Sequence, residues 1–111
     1  MKFINPSIHG VLDYIAALTL ITVPFILGFE GIALWFSVAG GAGLIVYSLI
    51  TDYAYSVAKA LPFKLHILFD SLAAVAFIAA PFVLGFTGIV QIYYLIMGVG
   101  VIAVVAFTSK A

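Results

Sequence analysis

The chain of 111 residues contains no cysteine. Disulfides, thiolate metal centres and haem attachment through Cys-x-x-Cys-His are therefore excluded. Charge is almost as scarce. Asp, Glu, Lys and Arg make up 7% of the residues, against roughly 25% in a soluble domain. The formal net charge is zero, so nothing favours a nucleic-acid partner. Ser7 and Ser71 lie near the two histidines, but no glycine-rich elbow accompanies either. A serine nucleophile needs that setting, with an oriented base and an oxyanion site, so no enzymatic activity is expected.

What remains is apolar: 67% of the residues are hydrophobic and the mean hydropathy is +1.38. A helix that crosses a bilayer needs about 20 mainly apolar residues. Four stretches qualify: Ile8–Leu27, Ile32–Leu49, Leu65–Leu84 and Ile89–Phe107. The expected fold is all-α, a four-transmembrane-helix bundle forming one membrane domain over residues 1–111, with the lipid bilayer as its main partner. A cleavable signal peptide competes for the first stretch. It is disfavoured because His9, Asp13 and Pro24 recur further on as His66, Asp70 and Pro81. If the chain crosses four times, Lys2, Lys59, Lys64 and Lys110 fall on one side, while the opposite turns contain only Glu30. The positive-inside bias then predicts a multi-pass protein of the plasma (inner) membrane with both termini in the cytoplasm.

The chain repeats itself at an offset of 57 residues. Ile8-His-Gly-Val-Leu-Asp13 returns as Leu65-His-Ile-Leu-Phe-Asp70, and Val23-Pro-Phe-Ile-Leu-Gly-Phe29 as Ala80-Pro-Phe-Val-Leu-Gly-Phe86. Each unit is a helical hairpin, approximately residues 8–53 and 65–110, joined by a cytoplasmic linker at 54–64. A unit that crosses twice restores the original orientation, so the expected arrangement is two parallel repeats with pseudo-two-fold symmetry along the membrane normal. The positions His9, Asp13, Ala16, Ala17, Ile21, Pro24, Leu27 and Gly28 are identical in both units and follow a three-and-four spacing, one stripe on a helix. The stripe predicts that the first and third helices meet, with Ala16, Ala17, Ala73 and Ala74 permitting close approach.

Gly41, Gly43, Gly98 and Gly100 are expected to serve helix packing. The kink motif is Pro24 with Gly28 and Pro81 with Gly85, where each proline removes an amide donor one turn before the outer end. Asn5-Pro6 reads as an N-cap with proline at the first helical position, and Pro62 as a similar start. Tyr53, Val57 and Leu61 predict a surface-lying extension of the second helix. Trp35, Tyr93 and Tyr94, with Tyr47, Tyr53 and Tyr55 at the other end, read as interfacial belts.

The duplicated Pro-Phe-x-Leu-Gly-Phe segments, each near the end of the first helix of a two-helix unit, resemble the SPW-repeat family of small membrane proteins. Val23 and Ala80 stand where that signature has serine, and Phe25 and Phe82 where it has tryptophan. The resemblance covers nearly the whole chain. It implies a membrane fold of two-helix units and carries no assigned biochemical activity.

The candidate site is the set His9, Asp13, His66 and Asp70. Each His-x-x-x-Asp pair shares a helix face and can be joined by a hydrogen bond. Three roles are open. The set can be polar glue in a non-enzymatic structural or interaction module. It can be a ligand site, with His9 and His66 binding a metal or serving as axial ligands to haem. It can also carry protons or ions in a transporter or channel. No cofactor follows from the sequence itself. Uniformly apolar, glycine-bearing outer helices make a homo-oligomer plausible.

Overall fold

A computed structural model describes residues 3–51 and 58–108. Lys2, Asp52, Tyr53, Tyr55, Val57 and Lys110, on which parts of the orientation, linker and belt readings rest, lie outside the described residues. The described chain is all-helical: α1 (Pro6–Ile26), α2 (Gly31–Leu49), α3 (Phe63–Leu84) and α4 (Gly88–Ala106). All four helices are long and apolar enough to cross a membrane.

The helix starts follow from local chemistry. The Asn5 side chain accepts a hydrogen bond from the Ile8 amide (2.9 Å), with Pro6 opening α1. Such a cap is worth about 1 kcal/mol. At α3 the residue 57 places after Asn5 is Pro62, which occupies the cap position itself and leaves Phe63 as the first helical residue. Pro62 has no side-chain acceptor, and its carbonyl takes the amides of Leu65 (3.0 Å) and His66 (3.1 Å). The linker therefore ends before residue 63, earlier than the expected 54–64. Among the described residues α2 stops at Leu49, and the amides of Ala58 and Leu61 fold back onto the carbonyls of Leu49 (3.0 Å) and Ile50 (2.7 Å).

At the far end, Gly28, Gly31, Gly85 and Gly88 take φ values of +74°, +59°, +76° and +61°, the left-handed region that glycine enters without a Cβ penalty. Gly28 and Gly85 lie where the chain reverses after α1 and α3, and Gly31 and Gly88 open α2 and α4. Pro24 and Pro81 are buried inside their helices. Proline cannot donate an amide hydrogen bond, which orphans the carbonyl four residues earlier. For Pro24 that carbonyl belongs to Leu20, and the Ser37 hydroxyl of α2 donates to it at 2.8 Å. The single Ser37 proton is then spent, so the Tyr93 hydroxyl donates to Ser37 Oγ (2.6 Å).

The backbones pack most closely within each hairpin, α1 on α2 and α3 on α4. A Cβ on Gly41 would lie 2.8 Å from the Ala17 carbonyl oxygen, and one on Gly98 would lie 2.9 Å from that of Ala74. The small residues of α1 and α3 thus receive a glycine from their own hairpin partner. The expected close approach of α1 to α3 through Ala16, Ala17, Ala73 and Ala74 does not form; glycine admits a helix nearer than alanine does. Gly43 and Gly100 also differ from expectation. Both are exposed, and a Cβ on either would meet nothing within 4 Å.

The aromatic belts need a similar correction. Trp35 is exposed and packs edge-on against Phe25 (5.9 Å). Tyr93 and Tyr94 are buried in the core instead. The Tyr94 hydroxyl donates to the Ala33 carbonyl (2.5 Å) and its ring stacks on Phe77 (4.8 Å between centroids). A buried tyrosine needs a partner for its hydroxyl, and the carbonyl of Ala33 and the hydroxyl of Ser37 supply these.

Candidate functional site

At the end of the bundle away from the two tight turns, His9, Asp13, His66 and Asp70 are all buried, both histidines at 0% exposure. His9 and Asp13 come from α1, His66 and Asp70 from α3. The four-residue spacing lets each histidine reach the aspartate of its own helix, and the repeated stripe turns the two pairs toward each other. The structure keeps both same-helix contacts and adds a nearer one from each histidine to the aspartate of the other helix. His9 Nε2 lies 2.8 Å from Asp70 Oδ2 and 3.1 Å from Asp13 Oδ2. His66 Nε2 hydrogen-bonds Asp13 Oδ2 and lies 3.3 Å from Asp70 Oδ2. Two nitrogens and two oxygens therefore alternate round one ring, and each aspartate touches the imidazole of both hairpins.

Three further side chains, which sequence reasoning missed, orient the ring. Thr108 Oγ1 lies 2.9 Å from His9 Nδ1 and donates its proton to the Val104 carbonyl (2.5 Å). Thr51 Oγ1 lies 2.7 Å from His66 Nδ1 and donates to the Tyr47 carbonyl (2.5 Å). A hydroxyl has one proton, so each threonine must accept from its histidine. Both imidazoles are thus held with Nδ1 protonated and Nε2 aimed at the carboxylates. The third residue is Tyr47, whose hydroxyl donates to Asp70 Oδ1. It was assigned to an interfacial belt; burying the Asp70 carboxylate beside α2 turns it inward instead. The residue 57 places on is Val104, which has no hydroxyl to offer Asp13.

Short bridges position the threonines. Ile4 pairs with Thr108, and Thr51 with Leu61, so the strand-like segment before each first helix holds the residue that follows the other hairpin. The Ile4 amide donates to the Phe107 carbonyl (3.0 Å). Phe63 closes the same end, stacked on His66 (6.0 Å, 15°) and edge-on to His9 (5.4 Å, 87°).

The chemistry of the ring follows from its protons. Each Nε2 faces two carboxylate oxygens, and a bare lone pair there would meet only other lone pairs. Positive charge must lie between them, as protons or as a cation. With both Nε2 atoms protonated, two imidazoliums balance two carboxylates, and the buried set has no net charge. That balance matters, because a buried charge without a partner is costly wherever water cannot reach it.

Deeper in the bundle, a cavity of about 220 Å³ begins at Asp13, Asp70 and Tyr47 and runs toward Leu20 and Phe77 past Gly43. It is smaller than the roughly 300–1,000 Å³ of organic-ligand pockets. A porphyrin held between His9 and His66 would need the space that the two carboxylates fill. Polar side chains nearer the tight turns are engaged locally: Ser37, Tyr93 and Tyr94 as described, and Thr19 and Thr22 on the carbonyls of Ile15 (2.9 Å) and Leu18 (2.7 Å). Among the described residues they form no chain leading from the ring to that end.

Comparison of the chain with protein-family models, curated proteins and solved structures finds no match.

Proposed function

We propose that this chain is a small inner-membrane protein whose two hairpins are copies of one unit, related by a pseudo-two-fold axis and clasped by the crossed His-Asp ring. In this reading the protein is a non-enzymatic structural or interaction module, with both termini in the cytoplasm. The crossing carries the proposal: the backbones pack within hairpins, while the four ionisable side chains bind between them. Support for duplication comes from contacts that repeat at the offset of 57. Ile4 and Leu61 pair with Thr108 and Thr51, and those threonines hold His9 and His66. The SPW-repeat resemblance belongs to the same proposal, since that family is built from two-helix membrane units.

Burial without a polar route outward favours a clasp over a conduit. Thermal unfolding in detergent tests the clasp. The chain carrying His9→Ala and His66→Ala is expected to melt at lower temperature than the parent, and an unchanged midpoint would remove the clasp reading.

A further inference from the structure

We propose that the His-Asp ring is a binding site for one divalent transition-metal ion, with His9 Nε2, His66 Nε2 and one carboxylate oxygen each of Asp13 and Asp70 as ligands. The proposal rests on the reading that these four side chains join the hairpins, and it names what sits between them.

Four observations converge on it. The first is spacing. A four-coordinate Zn²⁺ has Zn–N bonds of about 2.0–2.1 Å and Zn–O bonds of about 2.0–2.2 Å, which place tetrahedral ligand atoms roughly 3.3–3.5 Å apart. Around the ring, neighbouring donors stand 2.8, 3.1 and 3.3 Å apart, with the His66–Asp13 edge shorter still. All four groups offer a ligand atom within 4.8 Å of every other. The His66–Asp70 edge already fits, the His9–Asp13 edge would open by about 0.2–0.4 Å, the His9–Asp70 edge by about 0.5–0.7 Å and the His66–Asp13 edge by more to admit an ion.

The second is the tautomer. Metals take the unprotonated imidazole nitrogen, and the other nitrogen usually donates to an acceptor that fixes the ring. Thr51 and Thr108 are such acceptors, because each has given its own proton to a backbone carbonyl. Both Nε2 atoms are thereby left as the coordinating atoms. Tyr47 does the corresponding work for Asp70, engaging Oδ1 while Oδ2 faces the ring.

The third is charge. A dication with two carboxylates and two neutral imidazoles sums to zero, so the site replaces the protons of the metal-free ring without leaving net charge in an apolar interior. The fourth is donor type. Two imidazoles with two carboxylates suit zinc and its first-row neighbours; all-oxygen sites suit magnesium or calcium, and thiolates suit copper(I). Every donor here is a side chain of the site itself, and the two hairpins contribute equally.

The test uses the whole chain in detergent. Protein purified without chelator is assayed for metal by elemental analysis. Chelator-treated protein is then titrated with Co²⁺, whose visible absorption reports coordination number. One ion per chain and the intense bands of four-coordinate Co²⁺ are expected, lost in Asp13→Asn. Thr51→Val and Thr108→Val keep all four ligands, and each is expected to weaken Co²⁺ binding by about 10–100-fold, the usual effect of removing a group that orients a ligand. Those variants keep the proposal falsifiable should Asp13→Asn fail to fold. Co²⁺ uptake unchanged in both threonine variants, or unchanged in folded Asp13→Asn, would overturn the site. So would absence of uptake by the parent protein. If uptake is absent while His9→Ala still lowers the melting point, the metal falls and the clasp survives; if uptake is absent and His9→Ala leaves the melting point unchanged, both fall.

Discussion

Replacing His9 alone with alanine is expected to destabilise the protein by about 3–5 kcal/mol, the range for breaking a buried ion pair by removing one partner. The size follows from the ring. His9 is fully buried and contacts both carboxylates, so its loss leaves Asp13 and Asp70 sharing the single imidazole of His66. Thr108 loses its donor too, although its bond to the Val104 carbonyl remains. Removing the whole ring should act quite differently. In a chain carrying His9→Leu, Asp13→Val, His66→Leu and Asp70→Val, with Tyr47→Phe to retire the hydroxyl that served Asp70, no buried charge is stranded. Substitutions of that kind are often neutral, or stabilising by about 1–4 kcal/mol. The full replacement is therefore expected to be more stable than His9→Ala by several kcal/mol in reversible unfolding from detergent micelles, while taking up no Co²⁺. A full replacement as unstable as the single variant would mean that packing at these positions, and not electrostatic balance, holds the end of the bundle.

The second large effect is expected at Ser37, remote from the ring. Ser37→Ala strands both the Leu20 carbonyl and the Tyr93 hydroxyl. Unsatisfied buried groups cost about 1–3 kcal/mol each, which puts the expected loss at about 2–4 kcal/mol after partial relaxation. Tyr93→Phe should cost less, about 0.5–1.5 kcal/mol, because Ser37 keeps its bond to Leu20. The cause lies in Pro24. Its missing amide is what leaves the Leu20 carbonyl open. In a Pro24→Ala background the new amide can donate to Leu20, and Ser37→Ala should then be milder by about 1 kcal/mol or more. Equal losses in the two backgrounds, measured as a double-mutant cycle in the same unfolding assay, would disconnect serine from proline.

Much of this fold is written in local signals. Four apolar runs of spanning length gave four helices, and Asn5-Pro6 gave the start of α1 where expected. The tight turns at Glu30 and Thr87 form with Gly31 and Gly88 left-handed. Membership of the site was legible as well. An ionisable side chain in an apolar helix has to find a partner, and only four such side chains lie on the repeated stripe.

Which aspartate stands nearer each histidine was not legible. A spacing of four fixes which residues share a face, but contact across helices depends on how far apart the backbones stand. Here Gly41 and Gly98 draw each hairpin tight, leaving α1 and α3 to meet through long polar side chains. Thr51 and Thr108 were detectable in principle, being identical at the same offset as the histidines. They fall just beyond the helix ends, where apolar periodicity carries no signal. Tyr47, Tyr93 and Tyr94 were misassigned for one shared reason. A tyrosine near a helix end suits an interface by composition, and only the presence of an inward acceptor decides whether it turns into the core.

The crossed geometry can be measured in a bilayer. In protein labelled with ¹⁵N in histidine and ¹³C at the aspartate carboxyl, solid-state dipolar dephasing reads which carboxyl carbons lie beside each Nε2. Asp13→Asn replaces the labelled carboxyl on the helix of His9 with an unlabelled amide and leaves Asp70 in place. The crossed ring predicts that His9 Nε2 still dephases strongly in that variant, through Asp70 on the other hairpin. Loss of His9 dephasing, with the protein folded, would mean that each histidine binds only the aspartate of its own helix, and the clasp between the hairpins would not exist.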